Sequence, residues 1–125
     1  MINDYNSGSD AVALIPVASK SATAKGSGVN TTYYTGKLNV VLDCSAGTGD
    51  MTCDVKLQHS DTDVDGNYTD ITGAAFVQVT TTASLQSIPL NADECQKYVR
   101  AVATLAGTNP VFIISAHFIG RKQIF

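Results

Sequence analysis

The chain has 125 residues, of which 44% are hydrophobic and 15% charged, with a net charge of −3 and a pI near 5.0. That length suits one domain, which buries roughly two thirds of its unfolded surface and needs no disulfide or metal to hold it. The acidic balance excludes the basic stripe that nucleic-acid binding requires, and no apolar run is long enough to cross a bilayer as a helix.

The opening MINDYNSGSD is polar and without periodicity, so residues 1–10 read as an arm and 11–125 as a single domain. It has neither a positive n-region nor an apolar h-region, and the three cysteines are an odd count. Both features favour synthesis in a reducing cytoplasm. Ala11 to Val17 is a short apolar run containing Pro16, which suits an edge strand. Ala18 to Gly28 is small and polar and reads as either an extended edge strand or an ordered loop. Val29 to Thr35, with Tyr33 and Tyr34, is ambiguous.

From Lys37 the pattern sharpens. Leu38, Val40, Leu42 and Cys44 share one face; after a turn over Ser45 to Asp50, Met51, Cys53, Val55, Leu57 and His59 share another. Period-two alternation marks antiparallel strands with one buried and one wet face. A hairpin placing Cys44 opposite Cys53, Leu42 opposite Val55 and Val40 opposite Leu57 matches the inward sets. Asp61 to Gly66 reads as a turn, Tyr68 to Ile71 as a short strand, Thr72 to Ala75 as a turn, and Phe76 to Thr80 and Leu85 to Leu90 as strands. Asn91 to Gln96 is a connection with room for one helical turn. Lys97 to Gly120 reads as a central hairpin about a Gly-Thr-Asn-Pro turn. It pairs Leu105 with Phe112, Ala103 with Ile114, Ala101 with Ala116 and Val99 with Phe118, so both apolar faces meet the core. Turns recurring about every ten residues predict an all-β fold: an antiparallel, jelly-roll-like β-sandwich of eight or nine strands.

Chemical motifs are sparse. Asp61, Asp63 and Asp65, with Gly66 sixth, open like a calcium loop, but Thr72 stands where a bidentate acid is needed and the flanks are strands. Turn chemistry is the preferred reading, with no metal or cofactor expected. Cys44 and Cys53 could bridge or could join His59 in a metal site, but without a C-x-x-C pair they read as buried free thiols. Cys95 has no evident partner. His117 shares a face with Ser115, yet no nucleophile elbow supports catalysis, so the chain reads as non-enzymatic. Tyr98 and Arg100, with Val102, Val111, Ile113 and Ile119 on the second face of the hairpin, suggest a second packing layer or a subunit contact.

The stretches DVKLQHSDTDVDGNYTDITGAAF, LQSIPL and KYVRAVATLAGTNPVFIISAHFIG resemble small structural proteins of tailed bacteriophages, with a looser match at PVASKSATAKGSGV. The resemblance covers about Leu38 to Gly120 and rests on strands and turns rather than on a catalytic motif. It implies a capsid cement or decoration protein with a jelly-roll or sandwich fold. Such a protein sits on the outside of the virion head after assembly in the host cytoplasm. It clamps major capsid protein subunits and is often a dimer or trimer. Gln96-Lys97 before Tyr98 departs from the Lys-Arg pair common in that pattern, as do the three cysteines. The expected contact residues are Asp4 and Tyr5 of the arm, Tyr33 and Tyr34, Tyr98 and Arg100, and Arg121 and Phe125 of the tail. The other readings are a tail or baseplate component and a calcium- or carbohydrate-binding sandwich module. The lack of Trp and the 7% aromatic content disfavour the carbohydrate module.

Overall fold

A computed structural model describes residues 9–122 and is all-β. Its strands are β1 (Ser9–Lys20), β2 (Ala24–Lys25), β3 (Val29–Asn30), β4 (Tyr34–Cys44), β5 (Thr52–Ser60), β6 (Thr69–Ala75), β7 (Ser84–Asn91), β8 (Tyr98–Ala106) and β9 (Phe112–Lys122). The first sheet has the order β1-β9-β4-β7 and the second the order β2-β8-β5-β6, with β3 also on β8. All the pairings are antiparallel. β2 and β3 lie on the same edge of β8 and act as one strand interrupted around Gly26 to Gly28. Among the described strands, only β5 and β6 are both consecutive and hydrogen-bonded; apart from the β2–β3 interruption, the other connections cross between sheets. Two antiparallel sheets linked this way form a jelly-roll-like sandwich.

The cross-sheet connections correct both hairpins expected from the sequence. β8 pairs with β5, placing Leu105 opposite Cys53, whereas β9 pairs with β1 and β4, placing Ile114 opposite Ala18 and Cys44. Leu105 and Phe112 are therefore not cross-strand partners. β4 and β5 likewise lie in different sheets. In each case the chain arches over the core instead of turning back beside itself. The apolar faces still point inward, because an arch and a hairpin bury the same alternate residues. Leu38, Val40, Leu42, Ile114, Ala116 and Phe118 from one sheet join Val55, Leu57, Val99, Ala101 and Ala103 from the other in one buried cluster.

The two arches lock together at one end of the sandwich. Gly107 has φ +105°, and a Cβ there would lie 2.6 Å from the Asp50 carbonyl oxygen. The Asp50 carboxylate accepts from the Thr108 N–H and hydroxyl, both at 3.1 Å. Ser45 donates its N–H to the Ile113 carbonyl and accepts the Ile113 N–H on its hydroxyl at 2.9 Å.

Other segments also differ from expectation. β1 begins at Ser9, inside the stretch read as an arm, and runs along the sheet edge with irregular register either side of Ile15 and near Pro16. Thr72 to Ala75 is strand rather than turn; Gly73, at φ +78°, sits in a bulge that shifts the β5–β6 register. Phe76 to Thr80 is irregular, joined to β5 by an isolated bridge between Val79 and Cys53. The connection after β7 holds one 3-10 turn at Ala92–Glu94.

The two long edges of the sandwich differ. On the β1–β2 side, Gly26 donates its N–H to the Ala101 carbonyl at 2.8 Å while its Cα lies against the Leu14 carbonyl. On the β6–β7 side a crevice of about 370 Å³ lies between the sheets, with His59, Ile71, Leu90 and Cys95 in its walls. A methyl on Gly26 would be driven into the Leu14 carbonyl, whereas Gly66 has open space around it. Gly26→Ala should therefore cost about 3 kcal/mol or more in urea denaturation, and Gly66→Ala less than about 0.5 kcal/mol.

Candidate interaction surfaces

The outer faces of the two sheets have opposite characters. On the second sheet, Arg100 and Val102 of β8 point away from the core yet are only 7% and 5% exposed. The loop between β5 and β6 folds back over Arg100, and Val102 lies between Lys25 and Lys56 on the neighbouring strands. The Arg100 guanidinium stacks 4.1 Å from the Tyr68 ring centroid. It donates from Nη1 to the Asp65 carboxylate at 2.7 Å and from Nε to Gln58 Oε1 at 3.0 Å. Asp65 also takes the Lys25 ammonium at 3.0 Å. Gln58 donates to Asp70 at 2.8 Å, and Asp70 in turn holds Lys56 at 2.9 Å. Three cations and two carboxylates are therefore linked in one network from Lys25 to Lys56 within a single chain. An Arg suits the centre of this network because its planar fork binds two acceptors while its face stacks on an aromatic ring.

This network accounts for the calcium-like motif. Asp65 is held by two cations, and Asp63 accepts the Tyr68 hydroxyl at 2.7 Å. Among the described residues no three His, Cys, Asp or Glu side chains are grouped to hold a metal ion. The Arg100 and Lys25 hydrogen bonds hold the Asp65 carboxyl below its ordinary value of 3.8. Burial and the bond to Asp63 push the Tyr68 phenol up to about 12.

The expected contact residues separate. Arg100 is turned into the molecule. Tyr34 is 8% exposed, packs edge-on against Phe118 with ring centroids 5.1 Å apart, and donates its hydroxyl to Asp10 at 2.7 Å. Burial and Asp10 push its phenol up to about 12. Tyr98 is half-buried beneath the Lys97 ammonium, 5.3 Å from the ring centroid. Tyr33, at 59%, and Arg121 are open to solvent. Asp4, Tyr5 and Phe125 lie outside the described residues.

The outer face of the first sheet is largely uncharged. Its rows, read from the register, are Ala11, Ile119, Asn39 and Pro89; then Ala13, His117, Val41 and Ser87; then Ser115, Asp43 and Leu85. Ile113 follows at the arch end, and Val17 lies on the neighbouring edge strand. Val17, Leu85, Val111 and Ile113 are exposed at 72%, 73%, 49% and 53%. The sequence pattern revealed Ile113 and Val111, but Val17 and Leu85 join them only through strand order. Ser115 and His117 share this face without a hydrogen bond between them among the described contacts. At the opposite end, two extra residues of β4 form a bulge between Thr35 and Asn39 that opens a groove of about 360 Å³. Lys37, Pro89, Ile119 and Arg121 line it.

The thiols of Cys44 and Cys53 meet across the core from opposite sheets. The hydrogen bond with Cys44 and, after it, burial push the Cys53 thiol far above its ordinary value, so it stays protonated. His59 accepts the Gln96 N–H on Nδ1 at 3.2 Å, beside the half-buried Cys95, whose thiol is also pushed up by burial.

Asp50, Asp65 and Asp70 all have lowered folded-state values. A depressed carboxyl contributes stability that is fully present above its unfolded value, about 4, and is lost as pH falls through the folded value. The chain should lose stability in urea below about pH 4, and Asp65→Asn should lose less of it across that window than wild type. Arg100→Ala should cost about 2 kcal/mol at neutral pH by removing charge-assisted hydrogen bonds. No protein-family model matches this chain, and no curated protein matches its sequence.

Proposed function

We propose that this chain is a non-enzymatic structural protein of a tailed-phage virion, one that binds the outside of the head and strengthens contacts between major capsid protein subunits. The observation that carries this reading is the outer face of the first sheet. Val17, Leu85, Val111 and Ile113 are exposed at its arch end, with Asp43 the one acid in the register rows between them. Apolar side chains gathered on one face of a small domain mark a protein contact more often than a solvated surface. On the other outer face Lys25, Lys56 and Arg100 are already paired with Asp65 and Asp70 within the chain. The resemblance of the β5 to β6 and β8 to β9 stretches to phage head proteins supplies the class of partner. A rigid sandwich suits that role, since a preformed surface loses little freedom on binding. Many copies on one shell also multiply a modest single contact.

The test is decoration of purified bare heads, with bound protein quantified after sedimentation. Wild type should saturate the heads. Ile113→Asp and Leu85→Asp should each weaken binding at least about tenfold, equivalent to about 1.4 kcal/mol, with an unchanged melting temperature. Unimpaired decoration by both variants overturns the assignment of this face. Failure of wild type to bind heads, or labelling of the tail in electron micrographs of virions, overturns the head assignment. An arm contribution is tested by removing residues 1–8 only, because Asp10 holds the Tyr34 hydroxyl.

A further inference from the structure

We propose that this chain associates with itself head to tail, the acidic loop of one copy seating in the cationic groove of the next. Three of the cations, Lys25, Lys56 and Arg100, are paired with Asp65 or Asp70. Lys20, Lys37, Lys97, Lys122 and Arg121 have no such partner among the described residues, and of these Lys37 and Arg121 share one site. Both are exposed, both line the groove at the β4 bulge, and neither is matched to a carboxylate among the described residues. Between them Pro89 and Ile119 form apolar walls. The site therefore suits a short apolar side chain flanked by acids.

The chain carries that shape on its other face. Val64 is 56% exposed on the loop between β5 and β6, with Asp63 beside it and Asp61 three residues before. Asp61 has no cationic partner among the described residues. The loop is already set. The Thr62 N–H donates to the Ser60 hydroxyl at 3.1 Å, and Asn67 donates to the Thr62 hydroxyl at 2.8 Å. The Asn67 N–H donates to the Val64 carbonyl at 2.9 Å. Asp65 is pinned by Arg100 and Lys25. A loop held this way loses little conformational freedom when it inserts. Val64 would meet Pro89 and Ile119, while Asp61 and Asp63 would meet Lys37 and Arg121.

Loop and groove lie on opposite outer faces, over the second sheet and on the first, so one copy cannot satisfy its own groove. The contact is heterologous, which builds a ring if the rotation closes and a chain if it does not. It leaves Val17, Val111 and Ile113 uncovered and does not depend on the head assignment.

Mass photometry and sedimentation velocity of the full chain test this without heads present. Wild type should associate with rising concentration, and less so at high salt, because exposed ion pairs are screened. Lys37→Glu with Arg121→Glu, and separately Asp61→Lys with Asp63→Lys, should each weaken association at least about tenfold. An equimolar mixture of the two variants should restore it, since each loop then faces a groove of opposite charge. Val64→Asp, which leaves the Asp63–Tyr68 bond intact, should also weaken association and guards against misfolding of the loop variant. A wild type that stays monomeric, reversed variants that associate like wild type, or a mixture that stays monomeric each overturns the proposal.

Discussion

Val99, Ala101 and Ala103 of β8 leave water only by packing against the opposite sheet, and so do Phe112, Ile114, Ala116 and Phe118 of β9. Two strands consecutive in sequence are thus partners through the core and not along an edge. Each must take its backbone hydrogen bonds elsewhere, β8 from β5 on one side and the interrupted β2 and β3 on the other, β9 from β1 and β4. Once those neighbours are fixed, only β6 and β7 remain to complete the sheets. The arch residues follow from the same requirement. Gly107 needs its positive φ, and Asp50 needs Thr108, because two cross-over connections share one end of the molecule.

Which side chains face inward was legible from the sequence. The alternation of Leu38 to Cys44, of Met51 to Leu57 and of Phe112 to Phe118 places them correctly, because a period of two is fixed by backbone geometry. Partner strands were not legible. A hairpin and an arch bury the same residues, so the pattern that suggested Leu105 beside Phe112 and Cys44 beside Cys53 is equally satisfied by facing sheets. Bulges escape periodicity for a related reason: Gly73 reads as a turn signal, although a strand continues through it. The apolar surface was half visible. Val111 and Ile113 stand out within one strand, while Leu85 joins them only after β7 is known to lie beside β4. Arg100 misleads in the other direction, since nothing in its own strand announces that Tyr68 and Asp65 will fold back over it.

The charges divide between the faces in a way that bears on adhesion. Arg100, Lys25 and Lys56 are paired within the chain, so what the second sheet has left to offer a partner is the loop tip around Asp61 and Val64. Lys37 and Arg121 retain their field, as does Asp61 of the loop over Arg100. The molecule is therefore mildly acidic overall but carries cation and anion on opposite sides. Salt screens such a separation at lengths near 10 Å.

The sandwich is also unequal from side to side. Along β1 and β2 the two sheets touch backbone to backbone, with Gly26 wedged between the carbonyls of Leu14 and Ala101. Along β6 and β7 a crevice separates them. The result resembles a clam, hinged at Gly26 and open at the far lip. Small excursions from the native state are cheapest where the fewest apolar contacts must part. The lip is therefore expected to open first, baring Cys95 and His59 further while the buried thiols of Cys44 and Cys53 stay sealed. A reagent too large for the closed crevice would thus tell Cys95 from the core cysteines by time of reaction alone.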